Sequence, residues 1–212
     1  MSIEKLLLNG CGELGVKIDS SQTEKFLSYL ELIKNWNSKI NLTSVTDDEG
    51  IVVKHFIDSL TVSEFIDDGS TVLDIGTGAG FPAIPLALAR DSLKITALDS
   101  REKRIFFINE VIRELGIKNV ETVSARAGEN RCSLAGKTFD CVVTRAVGDI
   151  KEVIELSLPY INKDGLIILM RGKEGRFEWE SYENFNFRLN LLKELTLPGT
   201  GFRRVVLVLS KK

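Results

Sequence analysis

The sequence has no run of about 18 apolar residues, so no membrane-spanning helix is expected. Met1–Leu14 places Glu4, Lys5 and Glu13 among its leucines and lacks the basic start and unbroken apolar run of a signal peptide. A cytoplasmic location is therefore expected. Cysteine is scarce: Cys11, Cys132 and Cys141 are far apart, odd in number and form no Cys-x-x-Cys pair. That argues against a disulfide framework or a zinc site and leaves them as small packing residues. No metal site is expected. Histidine is scarcer still, with His55 alone, which makes a Ser-His-Asp triad hard to build. The net charge is only −2, unlike a basic nucleic-acid coat, so any RNA contact must come from local patches. There are no repeats and no low-complexity segments.

What is present is the composition of a soluble globular protein, 43% hydrophobic and 27% charged. A chain of 212 residues can build one good core but not two full-sized domains. Residues 1–68 read as helices only, a helical N-terminal extension or cap. Ser21-Gln22-Thr23-Glu24 has a capping-box pattern and precedes an apolar stripe of Phe26, Leu27, Leu30, Ile33 and Ile40. Asn35–Asp48 reads as a helix end and loop, and Ile51–Ile66 as a second amphipathic helix.

From residue 69 to 212 the rhythm becomes alternating strands and helices. Strands are expected at Thr71–Ile75, Lys94–Asp99, Val120–Ser124, Phe139–Thr144 and Gly165–Met170. Helices are expected at Pro82–Arg90, Arg101–Leu115 (ended by Gly116) and Asp149–Leu158. Two β-rich runs, Arg188–Leu195 and Arg203–Leu209, flank the turn Pro198-Gly199-Thr200-Gly201. This alternation predicts a doubly wound α/β fold, a mostly parallel sheet with helices on both faces and an antiparallel edge from the closing runs. Residues 69–212 are expected to form one compact unit.

The sharpest local signal is Asp74-Ile75-Gly76-Thr77-Gly78-Ala79-Gly80-Phe81-Pro82, a strand running into a glycine-rich turn that opens a helix. Ligands bind at such loops, at the carboxyl ends of strands in open α/β sheets. A dinucleotide site needs Gly-x-Gly-x-x-Gly, and here the third glycine comes one residue early, at Gly80. That disfavours a nicotinamide oxidoreductase. No Gly-Lys-Ser/Thr follows, so the loop is not a P-loop either. A carboxylate buried at Asp74 needs partners, either loop N–H groups or the ammonium of an amino-acid moiety. The second strand ends in Leu98-Asp99-Ser100, where Asp99 is placed to accept from ribose hydroxyls, or to cap the following helix. The third strand leads to Ala125-Arg126-Ala127-Gly128-Glu129, beside the place of an adenine.

The loop from Asp74 to Pro82 resembles the cofactor motif of class I methyltransferases. Three further segments, Asn41-Leu42-Thr43, His55-Phe56-Ile57-Asp58-Ser59-Leu60 and Thr144-Arg145-Ala146, extend the likeness, as does Leu98-Asp99-Ser100 followed by Lys103-Arg104. Together they resemble the GidB/RsmG family, which methylates guanine N7 in bacterial small-subunit ribosomal RNA. The resemblance runs from about Trp36 to Lys173. One departure is Ala79, where the family often has proline; alanine is expected to loosen the turn slightly. The resemblance implies S-adenosyl-L-methionine as cofactor and S-adenosyl-L-homocysteine as product. It implies a guanine in the decoding-region loop of 16S rRNA as target, in the small ribosomal subunit or an assembly intermediate. It also implies cofactor contacts at Gly76, Gly78, Phe81, Asp99, Ala127, Gly128, Glu129 and Arg145, with Phe81 and Pro82 lining the methionine end. His55 and Asp58 would close the site from above. A monomer is expected.

Guanine N7 already has a free lone pair, so the reaction needs alignment rather than a general base. The sequence has no Asn/Asp-Pro-Pro-Tyr motif of amino-group methylases and no Pro-Cys nucleophile of pyrimidine C5 methylases. Arg145, His55 and Asp58 are therefore read as groups that position substrate. For Arg145 the partner is a phosphate, the guanine O6 or a carboxylate, and the alternative is a structural ion pair. RNA contact is expected from Arg101, Lys103 and Arg104, from Arg171, Lys173 and Arg176, and from Arg203 and Arg204, with Lys211 and Lys212 following. Pro198–Lys212 carries basic residues and no acidic one. No RRM or KH module is visible, so recognition of shape and of a splayed base is expected. A methyltransferase for a small molecule or protein, or a non-catalytic cofactor-binding assembly factor, would share the same cofactor residues.

Overall fold

A computed structural model describes residues 1–128, 134–145, 148–180 and 186–212. Helices α1 (Ile3–Glu13) and α2 (Ser20–Ile40) come first. The cap of α2 lies upstream of the expected Ser21 box. Asp19 accepts from the Gln22 N–H and the Gln22 side chain accepts from the Asp19 N–H, so two orphan donors are satisfied at once. The helix ends where Asn41 turns left-handed, at φ 46°.

The second amphipathic helix is helical but not regular. A turn of α-helix, α3 (Asp48–Ile51), widens into a π-helix over Val52–Ile57 and returns as α4 (Asp58–Leu60). A 3₁₀ turn, Ser63–Phe65, follows. Periodicity marks the buried residues Val52, Phe56 and Leu60, but it carries no sign of the wide turn. π segments are rare and concentrate at functional sites, and this one carries Lys54 and His55.

The remainder is β1 (Thr71–Ile75), α5 (Ala83–Ala89), β2 (Lys94–Asp99), α6 (Glu102–Leu115), β3 (Val120–Ser124), β4 (Phe139–Arg145), α7 (Ile150–Ser157), β5 (Ile161–Gly172), α8 (Gly175–Glu180), β6 (Phe187–Thr196) and β7 (Arg203–Lys211). Among the described residues these strands form one sheet in the order β3-β2-β1-β4-β5-β7-β6. The first five strands of that order are parallel, and β7 runs antiparallel to both β5 and β6. The closing hairpin thus forms the antiparallel edge.

Two consequences position the site. Strand order reverses between β1 and β4, which opens a crevice at their carboxyl ends. And because β7 runs the other way, its first residues lie at that same edge: Gly172 pairs with Arg204 and Met170 with Val206, while Arg145 pairs with Met170. Lys211 is at the opposite edge, where its ammonium meets the Ile161 carbonyl.

One core cluster joins the N-terminal helices to α5, α6 and one sheet face, and a second lies under α7 on the other face. Residues on both sides of position 68 share the first cluster. Its centre is Phe26, Tyr29, Phe56 and Phe107, all fully buried. Each such side chain contributes about 1.5–3 kcal/mol by burial. Tyr29 also stacks on Phe56 at 5.2 Å between centroids.

Candidate functional site

The glycine turn is held from below and from the side. Asp74, at the end of β1, is fully buried, and its Oδ2 accepts the N–H of Ala83, an orphan donor in the first turn of α5. Of its two expected kinds of partner, the backbone one is present. Its Oδ1 and the buried Thr77 hydroxyl make no hydrogen bond of good geometry among the described residues. Burial pushes the carboxyl up to about 7, against the pull of the nearby Thr77 hydroxyl, then of the Ala83 N–H and of Arg145. Gly76 and Thr77 donate to the Leu98 carbonyl, so the turn is tied to the end of β2. The Tyr29 hydroxyl donates to the Ala79 carbonyl. Gly80 cannot be replaced easily: a Cβ there would stand 2.7 Å from Ile84 and 2.8 Å from the Tyr29 oxygen, at φ +99°.

Asp99 closes the other end. Its Oδ2 accepts from the Gly78 N–H at 2.9 Å, and its Oδ1 accepts from the Arg101 N–H at 2.9 Å. Arg104 pairs with Oδ2 at 3.3 Å. Capping and turn-fixing thus coexist, and each carboxylate oxygen keeps acceptor capacity.

The roof belongs to the N-terminal extension. His55 lies flat on Phe81, and its Nε2 is 2.7 Å from the Thr43 hydroxyl. Arg145, at the end of β4, donates from Nη1 to the Lys54 carbonyl (2.9 Å) and to Asp58 Oδ2 (3.1 Å), and from Nη2 to His55 Nδ1 (2.8 Å). The same Nδ1 lies 3.0 Å from the Lys54 carbonyl oxygen, so the guanidinium and that carbonyl meet at one ring nitrogen. Burial, then the Arg145 charge, lowers the His55 pKa to about 3. Asp58 is buried and its Oδ1 accepts from Arg204 Nε at 2.9 Å, so one carboxylate bridges two arginines from different strands.

These pieces enclose a cleft of about 570 Å³, in the range of small-molecule sites. Gly76, Thr77, Gly78, Phe81, Asp99, Ser100, Ala127 and Arg145 line it, as do Arg101, Arg104 and His55. Gly80, Pro82, Asp74 and Asp58 do not; Gly80 donates to the carbonyl of the lining residue Thr77, and Asp58 accepts from the lining residue Arg145. Gly128 also stands off, its N–H donating to the Tyr160 hydroxyl. Glu129, Cys132 and Ala146 lie outside the described residues.

The structure adds Thr43, Lys54 and Arg126 to the expected site residues. Thr43 and Arg126 line the cleft and Lys54 supplies the carbonyl that holds Arg145. Thr43 had a signal, the Asn41-Leu42-Thr43 motif. Lys54 had none, because its role rests on a backbone carbonyl in a π turn.

The donor set suits a nucleoside carrying an amino-acid arm. Gly78, at φ +61°, leaves its cleft face open, with nothing nearer than 3.9 Å to a would-be Cβ. Ile75, Leu98, Ala125, Ala127 and Leu156 make an apolar slot beside the Asp99 carboxylate. This fits S-adenosylmethionine.

Of the basic residues expected to meet RNA, Arg101, Lys103, Lys173 and Arg203 are exposed. Arg171 is not. It is buried and donates to the Gly148 carbonyl, because β5 extends to Gly172 and turns that side chain under the loop before α7. Arg204 is half-buried against Asp58, and Arg176 is paired with Glu180 and Glu194. Among the described residues there is no cluster of three or more His, Cys, Asp or Glu able to hold a metal, and no helix long and apolar enough to cross a membrane.

The family model GidB, rRNA small subunit methyltransferase G, matches residues 22–202. A ribosomal RNA small subunit methyltransferase G of Acetivibrio thermocellus is 38% identical over 216 positions, covering 100% of this chain and 89% of that protein. One of Geotalea uraniireducens is 38% identical over 212 positions, covering 98% and 96%. Among solved structures, a SAM-dependent methyltransferase from Aquifex aeolicus superposes with a TM-score of 0.55 at 22% identity, over 75% of this chain and 92% of that one. An rRNA methylase from Streptococcus thermophilus gives 0.51 at 19%, over 71% and 91%. The structural likenesses speak for the fold.

Proposed function

The chain belongs to the GidB family, and from that premise we propose that it transfers the methyl group of S-adenosylmethionine to N7 of a guanine in 16S ribosomal RNA, in the decoding-region loop of the small subunit. The observation that carries this reading is the placement of Arg145. Three groups fix its guanidinium, His55, Asp58 and the Lys54 carbonyl, at the wall of a cleft that has the Gly76–Gly78 turn and Asp99 at its other end.

The cofactor supplies an electrophilic methyl on a sulfonium. Everything else is asked of this chain. Asp99 and the Gly76–Gly78 turn hold the nucleoside part. Phe81 and His55 form a stacked wall that keeps water from one side of the reacting centre. Arg145 offers the guanine its planar fork of donors, suited to O6 or to a phosphate beside N7. His55, held neutral with a pKa of about 3, is a poor base, which suits a nucleophile that has no proton to lose. Alignment is then the main task, and it supplies on the order of 7–11 kcal/mol in favourable cases. Arg101, Lys103, Arg104, Lys173, Arg203 and Arg204 are read as the cationic rim for RNA phosphates.

The test uses methyl-labelled cofactor and small-subunit particles from cells that lack the enzyme. Label confined to one guanine, with N7-specific strand cleavage at that base, is the expected result. Cofactor binding without any label in the RNA would assign the cleft to another acceptor or to a non-catalytic assembly role.

A further inference from the structure

The turn that joins β6 to β7 places an aromatic ring and two arginines next to Lys54 of the π segment, behind the Arg145 wall of the cleft. The Leu197 N–H donates to the Phe202 carbonyl, the Thr200 hydroxyl donates to the Leu197 carbonyl, and the Phe202 N–H donates to Thr200 Oγ1. This tight turn leaves the Phe202 side chain outside, where the residue is 44% exposed. Lys54 places its Nζ 4.6 Å from the ring centroid. The same Lys54 holds Arg145 through its carbonyl, and it precedes the roof residue His55. Arg203 and Arg204 follow Phe202 directly, and Arg204 is tied through Asp58 to Arg145. Phe202 therefore stands one residue contact away from the cleft wall.

We propose that Phe202 and Lys54 form a stacking platform for an unpaired RNA base next to the target nucleotide, Phe202 taking the base and Lys54 the neighbouring phosphate. This rests on the methyltransferase reading above and names how that site engages its substrate. Charge complementarity selects the occupant. Lys54 lies over the ring, Arg203 and Arg204 follow it in the chain with Arg203 exposed, and Pro198–Lys212 contains no acidic residue. An aromatic face among cations beside a groove is the arrangement that binds single-stranded nucleic acid, because every base has a face to stack and every linkage a phosphate. Recognition of a splayed base also needs its neighbours held out of their own stack. Arg204 is then a positioning residue: RNA engaged at Phe202–Arg204 is linked to Arg145 through the shared Asp58 carboxylate.

The experiment compares full-length wild type with Phe202→Ala, Phe202→Leu, Phe202→Trp and Lys54→Gln. The measurements are affinity for undermethylated small-subunit particles and for protein-free 16S rRNA, the salt dependence of both, cofactor affinity, the unfolding midpoint and methyl transfer. Phe202→Ala is expected to weaken both RNA affinities roughly tenfold, with cofactor affinity and unfolding midpoint unchanged. Phe202→Trp is expected to restore them and Phe202→Leu not to. Lys54→Gln is expected to lower the salt slope of RNA binding by about one. Equal RNA affinity of wild type and Phe202→Ala overturns the platform, whether or not methyl is transferred. Full rescue by Phe202→Leu overturns it in favour of packing. Loss of affinity for particles but not for protein-free rRNA overturns it in favour of a protein contact. Failure of methyl transfer by a wild type whose RNA binding still depends on Phe202 would sink the methyltransferase reading alone.

Discussion

The His55 imidazole lies on the Phe81 ring with 4.5 Å between centroids and 20° between planes. One ring comes from the π segment of the helical extension, the other from the glycine turn of the sheet. Arg145 touches both: its guanidinium carbon is 5.1 Å from the Phe81 centroid and its Nη2 is 2.8 Å from His55 Nδ1. Roof, floor and positioning arginine are therefore one packed unit, and a change in any of them should be felt at the others.

His55 should stay neutral. Its pKa of about 3 lies below its ordinary 6.5, chiefly through burial and then through Arg145. By NMR its ring signals are expected not to titrate between pH 8 and pH 5; a midpoint near 6.5 would show that the roof is open to water.

The pH dependence of stability should reflect two opposed groups. Between about 3 and 6.5 the unfolded chain binds the His55 proton and the folded chain does not, so this group's contribution is lost as pH falls through that window. Asp74, raised from 3.8 to about 7, does the reverse, binding its proton in the folded state and losing stability as pH rises through its window. Asp74→Asn removes the second effect. Its stability relative to wild type is expected to be greater at pH 8 than at pH 5 in denaturant titrations, and parallel curves would refute the buried protonation.

Asp99→Ala should weaken cofactor binding by about 1.5–3 kcal/mol, the scale of a hydrogen bond to a charged group. It also frees the Gly78 N–H that fixes the turn. Calorimetry showing unchanged affinity would remove Asp99 from the cofactor site.

Arg145→Lys keeps the charge and loses the fork that reaches His55, Asp58 and the Lys54 carbonyl together. Turnover is expected to fall roughly ten- to a hundredfold, about 1.5–3 kcal/mol of transition-state stabilisation, while cofactor affinity changes less. A wild-type rate would return Arg145 to a structural ion pair.

Gly80→Ala should destabilise the fold by about 1–3 kcal/mol or more, because the new Cβ meets Ile84 and Tyr29 at a left-handed backbone. Denaturant unfolding measures this directly. Gly78→Ala, whose Cβ meets no atom closer than 3.9 Å, is expected to cost less stability and more cofactor affinity.

Much of the architecture was legible in the residues themselves. The strands Lys94–Asp99 and Val120–Ser124 are found where their apolar pattern and flanking turns place them. Gly116 stops α6 in the left-handed conformation that glycine tolerates. The turn from Asp74 to Pro82, the acid at the end of β2 and the closing hairpin are local features, because strand periodicity, glycine and turn chemistry act over a few residues. What only the tertiary structure decided is which distant groups meet. Asp58 bridges arginines 87 and 146 residues away in sequence, Arg171 is turned inward, and Lys54 holds Arg145 through a carbonyl that any residue would carry. The direction of β7 determines that Arg203 and Arg204, and not Lys211, stand at the cleft edge. Such pairings depend on sheet order and strand direction, set by the packing of the whole chain and by no short stretch of it.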